Sequence, residues 1–239
     1  MPPISDLFRA TFRFYRAYAP LLGGYLAWLL VPYTCLALLQ LVPLDRVRDV
    51  GSFVFDFATG MIGIWIFILL AQLVHGLIHG KEIAPSDLRA QTRKLFLPVV
   101  TVGFLYSLIV FGGILLLIIP GILFLVWFGL AQLAVILEQK RGREAFMFSK
   151  SLVKGRFFRA AAILYAGPLA FSLGLLIATI GLGTIISSIG GIPLFTPSGD
   201  APLWFDIIDT LLQVFVFIPI MITYSVFAYD VLKHEPTVK

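Results

Sequence analysis

Residues 95–137 read LFLPVVTVGFLYSLIVFGGILLLIIPGILFLVWFGLAQLAVIL and contain no charged side chain. About 20 apolar residues in a helix cross the roughly 30 Å hydrocarbon core of a bilayer, so this stretch has twice the length of one span. Pro120-Gly121 lies near its middle, where proline cannot continue the helical hydrogen-bond ladder and glycine permits a turn. The stretch therefore predicts two membrane-spanning helices, 95–118 and 121–137, joined by a tight hairpin.

The composition extends this interpretation to the whole chain. Of the 239 residues, 59% are hydrophobic and 13% are charged, whereas about 25% of the residues of a soluble domain are charged. Such a chain has too few ionic groups to cover the surface of a soluble fold. We therefore predict an all-α integral membrane protein, with residues 1–239 forming a single polytopic domain. The six predicted spans, arranged as three hairpins, are 18–42, 52–78, 95–118, 121–137, 160–189 and 205–232.

The lysines and arginines predict the orientation. With a cytoplasmic N-terminus, 16 of the 18 fall in cytoplasmic segments, and only Arg46 and Arg48 fall outside. Short loops rich in lysine and arginine stay on the cytoplasmic side. We therefore expect both termini in the cytoplasm and the chain in the inner membrane. The first apolar run is too long for a secretory signal peptide and has no small-x-small cleavage site after it, so we expect it to remain as a span.

A short basic, amphipathic stretch precedes each odd-numbered span, at 5–17, 84–94 and 142–158. The first two share the tripeptide Ser-Asp-Leu, which hints at a threefold repeat. Such helices are suited to the headgroup layer, where each basic residue contributes about 1 kcal/mol of attraction to anionic lipid. The alternative is that they act only as topology anchors. The predicted headgroup contacts are Arg9, Arg13, Arg16, Arg89, Arg93, Lys94, Arg143, Lys150 and Lys154.

Acidic residues cluster at the opposite ends of the spans. Asp56 precedes the apolar part of the second span, and Asp206 and Asp209 lie on one face of the sixth. They predict an acidic outer cluster with Arg46 and Arg48 as counter-charges. One interpretation is a cation or headgroup site. The other is an interface wetted by water, where helix N-termini favour carboxylates.

Two histidines have the spacing of helical metal ligands. His75 and His79 lie four residues apart at the end of the second span, but a metal site needs a third donor and usually a fourth. His234 is the only other histidine, and Cys35 is the only cysteine. No metal motif accompanies them, so we predict no metal site, no cofactor and a position at the headgroup boundary for both histidines. Glu138 and Asp230 are expected to form ion pairs with lysines or arginines.

Small residues recur every four positions on the fifth span. Such a stripe lets another helix approach closely. Core contact within the bundle is one interpretation, and a face for a partner protein is the other. The predicted helix-packing face is Ala162, Ala166, Ala170, Gly174 and Ala178.

The region 112–159 carries a recognisable combination: GGILLLIIPGI at 112–122, VILE at 135–138, Glu144-Ala145, Ser149 and SLVKGRFF at 151–158. With YDVL at 229–232, it resembles the membrane-protein family typified by the membrane domain of glycerophosphoryl diester phosphodiesterases and related six-helix inner-membrane proteins of bacteria and archaea.

The resemblance implies architecture rather than chemistry, because catalysis in the phosphodiesterases belongs to a separate soluble barrel that has no counterpart in these residues. It implies a turn at Pro120 and Gly121, a polar link at Glu138, and a helix-to-span junction near Ser149 and Gly155. Glu138 is expected to pair with Arg141, Arg143 or Lys154.

No nucleophile, phosphate-loop or dinucleotide motif is present. The sequence therefore favours a non-enzymatic structural or accessory subunit that contacts membrane lipids and a further membrane protein, without nucleic acid. The alternative is a transporter or channel for a lipid-like or small amphipathic molecule. A wet cavity joining Gln72, Gln132, Gln213 and the outer aspartates would favour transport, whereas a dry interior of small residues would favour the structural role.

Overall fold

The computed structural model describes residues 4–39, 45–81, 83–191 and 202–234. The chain folds into ten α-helices in these ranges, with a 3₁₀ turn at Ala27–Leu29 and a π-helical segment at Gln213–Phe217. The helices are α1 Ile4–Leu26, α2 Leu30–Leu39, α3 Asp45–Ile78, α4 Pro85–Leu116, α5 Ile118–Phe128, α6 Ala131–Glu138, α7 Arg143–Val153, α8 Phe157–Gly190, α9 Leu203–Leu212 and α10 Ile218–His234.

Six helical segments are long and apolar enough to cross a membrane. Helices are stable in the hydrocarbon core of a membrane because each one satisfies its backbone hydrogen bonds internally. The prediction of an all-α membrane protein with six spans is therefore confirmed, and the protein is a multi-pass membrane protein. The segments are Ile4–Leu36, Asp49–Ile78, Pro85–Leu116, Ile118–Glu138, Phe157–Gly190 and Leu203–His234.

The hairpin between α4 and α5 turns at Leu117, three residues before the predicted position at Pro120. Leu117 is extended, with φ −161° and ψ 136°. Pro120 lies in the first turn of α5, where its missing N–H is not needed and its ring avoids the carbonyl four residues earlier. A Cβ added to Gly113 would lie 3.0 Å from the Gly121 Cα atom. The two glycines therefore let the helix backbones meet closely at the turn.

The basic stretches are not three separate helices. Residues 5–17 are continuous with the rest of α1, and residues 84–94 lead directly into the apolar part of α4. Both helices continue through a proline, Pro20 in α1 and Pro98 in α4, although each proline removes one hydrogen bond of the ladder. Only the third stretch is a separate helix, α7. It lies between Gly142, with φ 47°, and Gly155, with φ 81°. Both are in the left-handed region that favours glycine.

The helices group into two compact units. One comprises Met1–Ala17, Ile64–Gly167 and Ile222–Lys239, and the other comprises Tyr18–Gly63 and Pro168–Met221. The first contains sixteen lysines and arginines and seven acidic residues, a formal charge of +9. The second contains two and six, a formal charge of −4. We call them the basic unit and the acidic unit.

The small-residue stripe on α8 does not pack inside the chain. Ala162, Ala170, Gly174 and Ala178 are exposed, and Ala166 is half-buried. The buried positions of α8 lie on another face and include Ile163, Gly167 and Thr179. The Tyr224 ring fills the space beside Gly167 on that face, so the predicted core contact through the stripe is corrected. A partner protein on the stripe stays a prediction.

Candidate functional site

A groove of about 580 Å³ in the basic unit runs between α1 and α10. Arg9 and Arg13 are exposed on α1, four residues apart on one face, and neither forms an ion pair with any residue in the described ranges. Phe227 and Val231 supply an apolar wall from α10. The groove thus combines two positive groups with an apolar surface. Its lining is Asp6, Leu7, Arg9, Ala10, Arg13, Phe227 and Val231.

All nine predicted headgroup contacts are exposed in the structure. The structure gives a second role to one of them. The Lys150 Nζ atom lies 4.2 Å from the centre of the Trp127 ring, a cation–π contact that joins α7 to the end of α5. The other members of the set are available to solvent or headgroups.

Glu138 joins the last residues of α6 to α10. Its Oε1 atom accepts a 2.9 Å hydrogen bond from the Tyr229 hydroxyl and pairs with the Lys233 ammonium. The expected partners Arg141, Arg143 and Lys154 form no ion pair with it among the described residues, so that prediction is corrected. The partner comes from α10 because the fold brings together two helix ends that are far apart in sequence.

Side chains also satisfy the backbone at the break between α5 and α6. The Ser149 hydroxyl donates to the Trp127 carbonyl at 2.7 Å and accepts from the Leu130 N–H at 3.2 Å. The hydroxyls of Tyr106 and Tyr165 both donate to the Leu125 carbonyl, at 3.3 and 2.9 Å. Broken helices persist in a membrane only where freed backbone groups find such partners. The predicted junction at Ser149 is thus a hydrogen-bonded link.

A polar cluster forms where α3 and α10 both end. One ligand atom from each of His75, His79 and Asp230 lies within 4.8 Å of the others. The His79 Nε2 atom is 3.6 Å from Asp230 Oδ1, and the His75 and His79 ring centres are 4.3 Å apart. The His234 Nδ1 atom is 3.4 Å from the same carboxylate oxygen. Asp230 therefore meets histidines rather than the predicted lysines or arginines, and sequence reasoning missed this contact because 151 residues separate it from His79.

The Asp209 carboxylate of the predicted acidic cluster forms two hydrogen bonds with other side chains. It accepts hydrogen bonds from the Thr179 hydroxyl at 3.2 Å and from the Gln213 amide at 2.5 Å. Gln213 begins the π-helical segment Gln213–Phe217, and such segments often re-aim side chains at functional sites. Asp206, Asp209 and Gln213 line one groove of about 720 Å³ in the acidic unit.

Of the described residues, Asp56 and the predicted counter-charge Arg46 do not line this groove. Asp56 is exposed and lies within electrostatic range of Tyr33, a residue of the same groove. Arg46 is exposed, and the side chain of Arg48 lies outside the described residues. Its predicted role as a counter-charge stays a prediction.

The glutamines divide between the units. Gln72 is buried in the basic unit and donates to the Ile68 carbonyl and to the Thr92 hydroxyl, both at 3.2 Å. Gln132 packs directly against Gly103 in the same unit. Gln72 thus acts as a polar link between α3 and α4, whereas Gln213 belongs to the groove of the acidic unit.

Fold and sites together define a multi-pass α-helical membrane protein with a basic and an acidic unit. Comparisons with protein-family models, curated proteins and solved structures found no match for this chain. The resemblance to the phosphodiesterase membrane domains therefore stays a prediction that rests on the quoted residues.

Proposed function

We propose that this protein is a non-enzymatic structural or accessory subunit of the inner membrane that holds anionic phospholipid in the groove between α1 and α10. The observation that carries the proposal is the pairing of Arg9 and Arg13 with the apolar wall of Phe227 and Val231. A phospholipid has the same division, with a phosphate at one end and acyl chains at the other. The guanidinium groups suit the phosphate because each presents several N–H donors in one plane.

The charge of the basic unit supports its placement at the cytoplasmic leaflet, with both termini on that side. Its formal charge is +9, against −4 for the acidic unit. The cytoplasmic leaflet holds the anionic lipids and attracts basic segments. We extend the proposal to kinship with the six-helix family named above, on the strength of the motif in 112–159.

The contribution of the two arginines to lipid affinity can be calculated. Two basic residues near an anionic surface contribute about 2 kcal/mol, which corresponds to roughly a 30-fold change in affinity. The double variant Arg9→Gln, Arg13→Gln removes both charges and keeps side chains that fit the groove. The matched control is Arg89→Gln, Arg93→Gln, which removes two exposed charges of α4 that do not line the groove and so measures the general attraction of exposed arginines to anionic lipid.

Purified protein in nanodiscs of phosphatidylglycerol and phosphatidylcholine provides the assay, with retained lipid counted by native mass spectrometry. We expect the wild type to retain phosphatidylglycerol selectively, the groove variant to lose that selectivity, and the α4 control to lose less of it. Equal retention by the groove variant and the wild type would overturn the proposal, and so would equal loss in the control.

The accessory role is tested separately by purification from detergent-solubilised membranes. A reproducible stoichiometric membrane partner supports it. A lone protein that transports an amphipathic molecule in liposomes contradicts it.

A transporter or channel for a lipid-like or small amphipathic molecule is the second candidate. It is favoured by the groove of the acidic unit, where Asp206, Asp209 and Gln213 lie among apolar residues. A few polar groups in a mainly apolar cleft are typical of small-molecule sites. The variant Asp209→Asn removes the charge while keeping the shape, so flux of a fluorescent lipid analogue into liposomes should fall if this groove is the path. Absence of wild-type flux would exclude this candidate for that analogue.

A further inference from the structure

The cluster of His75, His79 and Asp230 has the composition of a metal site. Two imidazoles and one carboxylate are the usual protein ligands of zinc-class ions, whereas Ca²⁺ and Mg²⁺ favour oxygen donors alone. The three ligand atoms lie within 4.8 Å of one another. In a tetrahedral zinc site they would be about 3.4 Å apart, as follows from metal–ligand bonds of about 2.1 Å. Binding therefore requires these atoms to approach one another by up to about 1.4 Å.

The hydrogen bond of the His79 ring leaves its other nitrogen suited to a metal. Its Nδ1 atom lies 2.9 Å from the His75 carbonyl oxygen, and a carbonyl can only accept a hydrogen bond, so Nδ1 carries the proton. In the neutral imidazole the lone pair is then on Nε2, the atom that faces Asp230 at 3.6 Å. Metal-bound histidines usually donate their other ring N–H to a carbonyl or carboxylate in this way.

Two atoms of the cluster are buried and have no hydrogen-bond partner among the residues that the structure describes. These are His75 Nδ1 and Asp230 Oδ1. Buried polar atoms in proteins are nearly always satisfied, and an ordered water or a bound ion is a usual partner of an atom that the chain leaves unsatisfied. A metal ion with a bound water would satisfy both atoms.

The electrostatic surroundings also favour a cation. Helices α3 and α10 both end at this cluster, and each C-terminus carries partial negative charge. The charged neighbours that act on His75 include Lys233 and Glu138, which pair with each other. Asp230 is the carboxylate of the cluster itself, 3.6 Å from His79 Nε2.

We propose that His75, His79 and Asp230 bind one zinc-class divalent ion per chain, with water completing the coordination. Asp230 supplies the third donor that the i, i+4 histidine pair lacks. The ion would connect the ends of α3 and α10 and so strengthen the basic unit. This inference is independent of the lipid groove, which uses other residues.

The test uses the full chain without an affinity tag, in detergent, after treatment with a chelator. Zn²⁺ is titrated in competition with a chromophoric chelator, and Co²⁺ serves as a spectroscopic probe of ligand geometry. We expect one ion per chain and an affinity loss of at least roughly tenfold in His75→Ala, His79→Ala and Asp230→Asn. The control is His234→Ala, which removes a histidine that touches Asp230 but is 64% exposed and outside the ligand set.

Thermal unfolding of the apo and zinc-loaded proteins distinguishes a lost ligand from a lost fold. A zinc-dependent rise in Tm for the wild type and His234→Ala, and none for the other variants, supports the site, provided that the apo proteins melt alike. Three results would overturn the proposal: no stoichiometric binding, equal affinity in His79→Ala and Asp230→Asn compared with the wild type, or a loss in His234→Ala as large as that in His79→Ala. The first would leave His79 and Asp230 as an ion pair.

Discussion

Replacing Gly167 with alanine tests how closely α8 packs against α10. A Cβ atom at this position would lie 2.6 Å from Tyr224 Cδ1 and closer still to Cε1 and Cζ. The Tyr224 side chain is 0% exposed, and its hydroxyl donates to the Ile163 carbonyl at 2.6 Å. The ring therefore cannot move aside without disturbing both its packing and this hydrogen bond.

The magnitude follows from opposing effects. Alanine in place of glycine stabilises a helix interior by up to about 1 kcal/mol. Overpacking a filled site destabilises by about 1–3 kcal/mol, and loss of the Tyr224 hydrogen bond adds about 1 kcal/mol. The net expectation is a free energy of unfolding lower by about 1–3 kcal/mol, summed from these ranges.

Gly174→Ala is the matched control, because it makes the same change in the same helix where an added Cβ would meet no atom within 4 Å. The helix-propensity gain is common to both variants, so their difference isolates the clash at about 2–4 kcal/mol. The free energy of unfolding is measured by denaturant titration in mixed micelles. On a Tyr224→Leu background, where the ring is gone, Gly167→Ala should behave like Gly174→Ala. Equal stability of the two single variants would refute the packing argument.

Three further predictions concern the links and the topology. Ser149→Ala should lower the free energy of unfolding by about 1–3 kcal/mol, because the change leaves a buried N–H without its partner; a change below 0.5 kcal/mol would contradict the link. Tyr229→Phe should lower it by about 1–2 kcal/mol through loss of the hydrogen bond to Glu138, and on a Glu138→Gln background, where the acceptor is neutral, the same change should have a smaller effect. For the orientation, a cysteine placed at Ser198 should react with an impermeant reagent in intact cells and one at Arg141 only after permeabilisation, and the reverse pattern would invert the topology.

Much of the architecture was predictable because it depends on local composition. Apolar runs of about 20 residues indicate spans wherever they occur, and their backbone must become helical in lipid. A hairpin within residues 95–137 followed from the length of the apolar stretch, but its turn lies at Leu117 rather than at the predicted Pro120-Gly121. The sequence did not predict that the basic residues 5–17 and the apolar residues after them form one continuous helix, α1. A run of charged residues indicates a change of environment and not the end of a helix.

The sites were harder to predict because they combine residues distant in sequence. Glu138 was assigned neighbours from its own loop, yet its partners Tyr229 and Lys233 come from α10. The small-residue stripe on α8 satisfied the rule for close packing, but the Tyr224 ring packs at Gly167 instead. A sequence pattern describes what one helix surface permits and cannot tell which neighbouring helix occupies it.

The sequence by itself therefore determined the class of protein, the number of spans and the separation of sixteen positive charges from the other two, since each depends on residues that are neighbours in the chain. Only the tertiary structure decided that Arg9 and Arg13 share a groove with Phe227, and that Asp230 joins the pair of histidines. The physical reason is that helix packing sets these distances, and packing depends on the shapes of all the side chains at once.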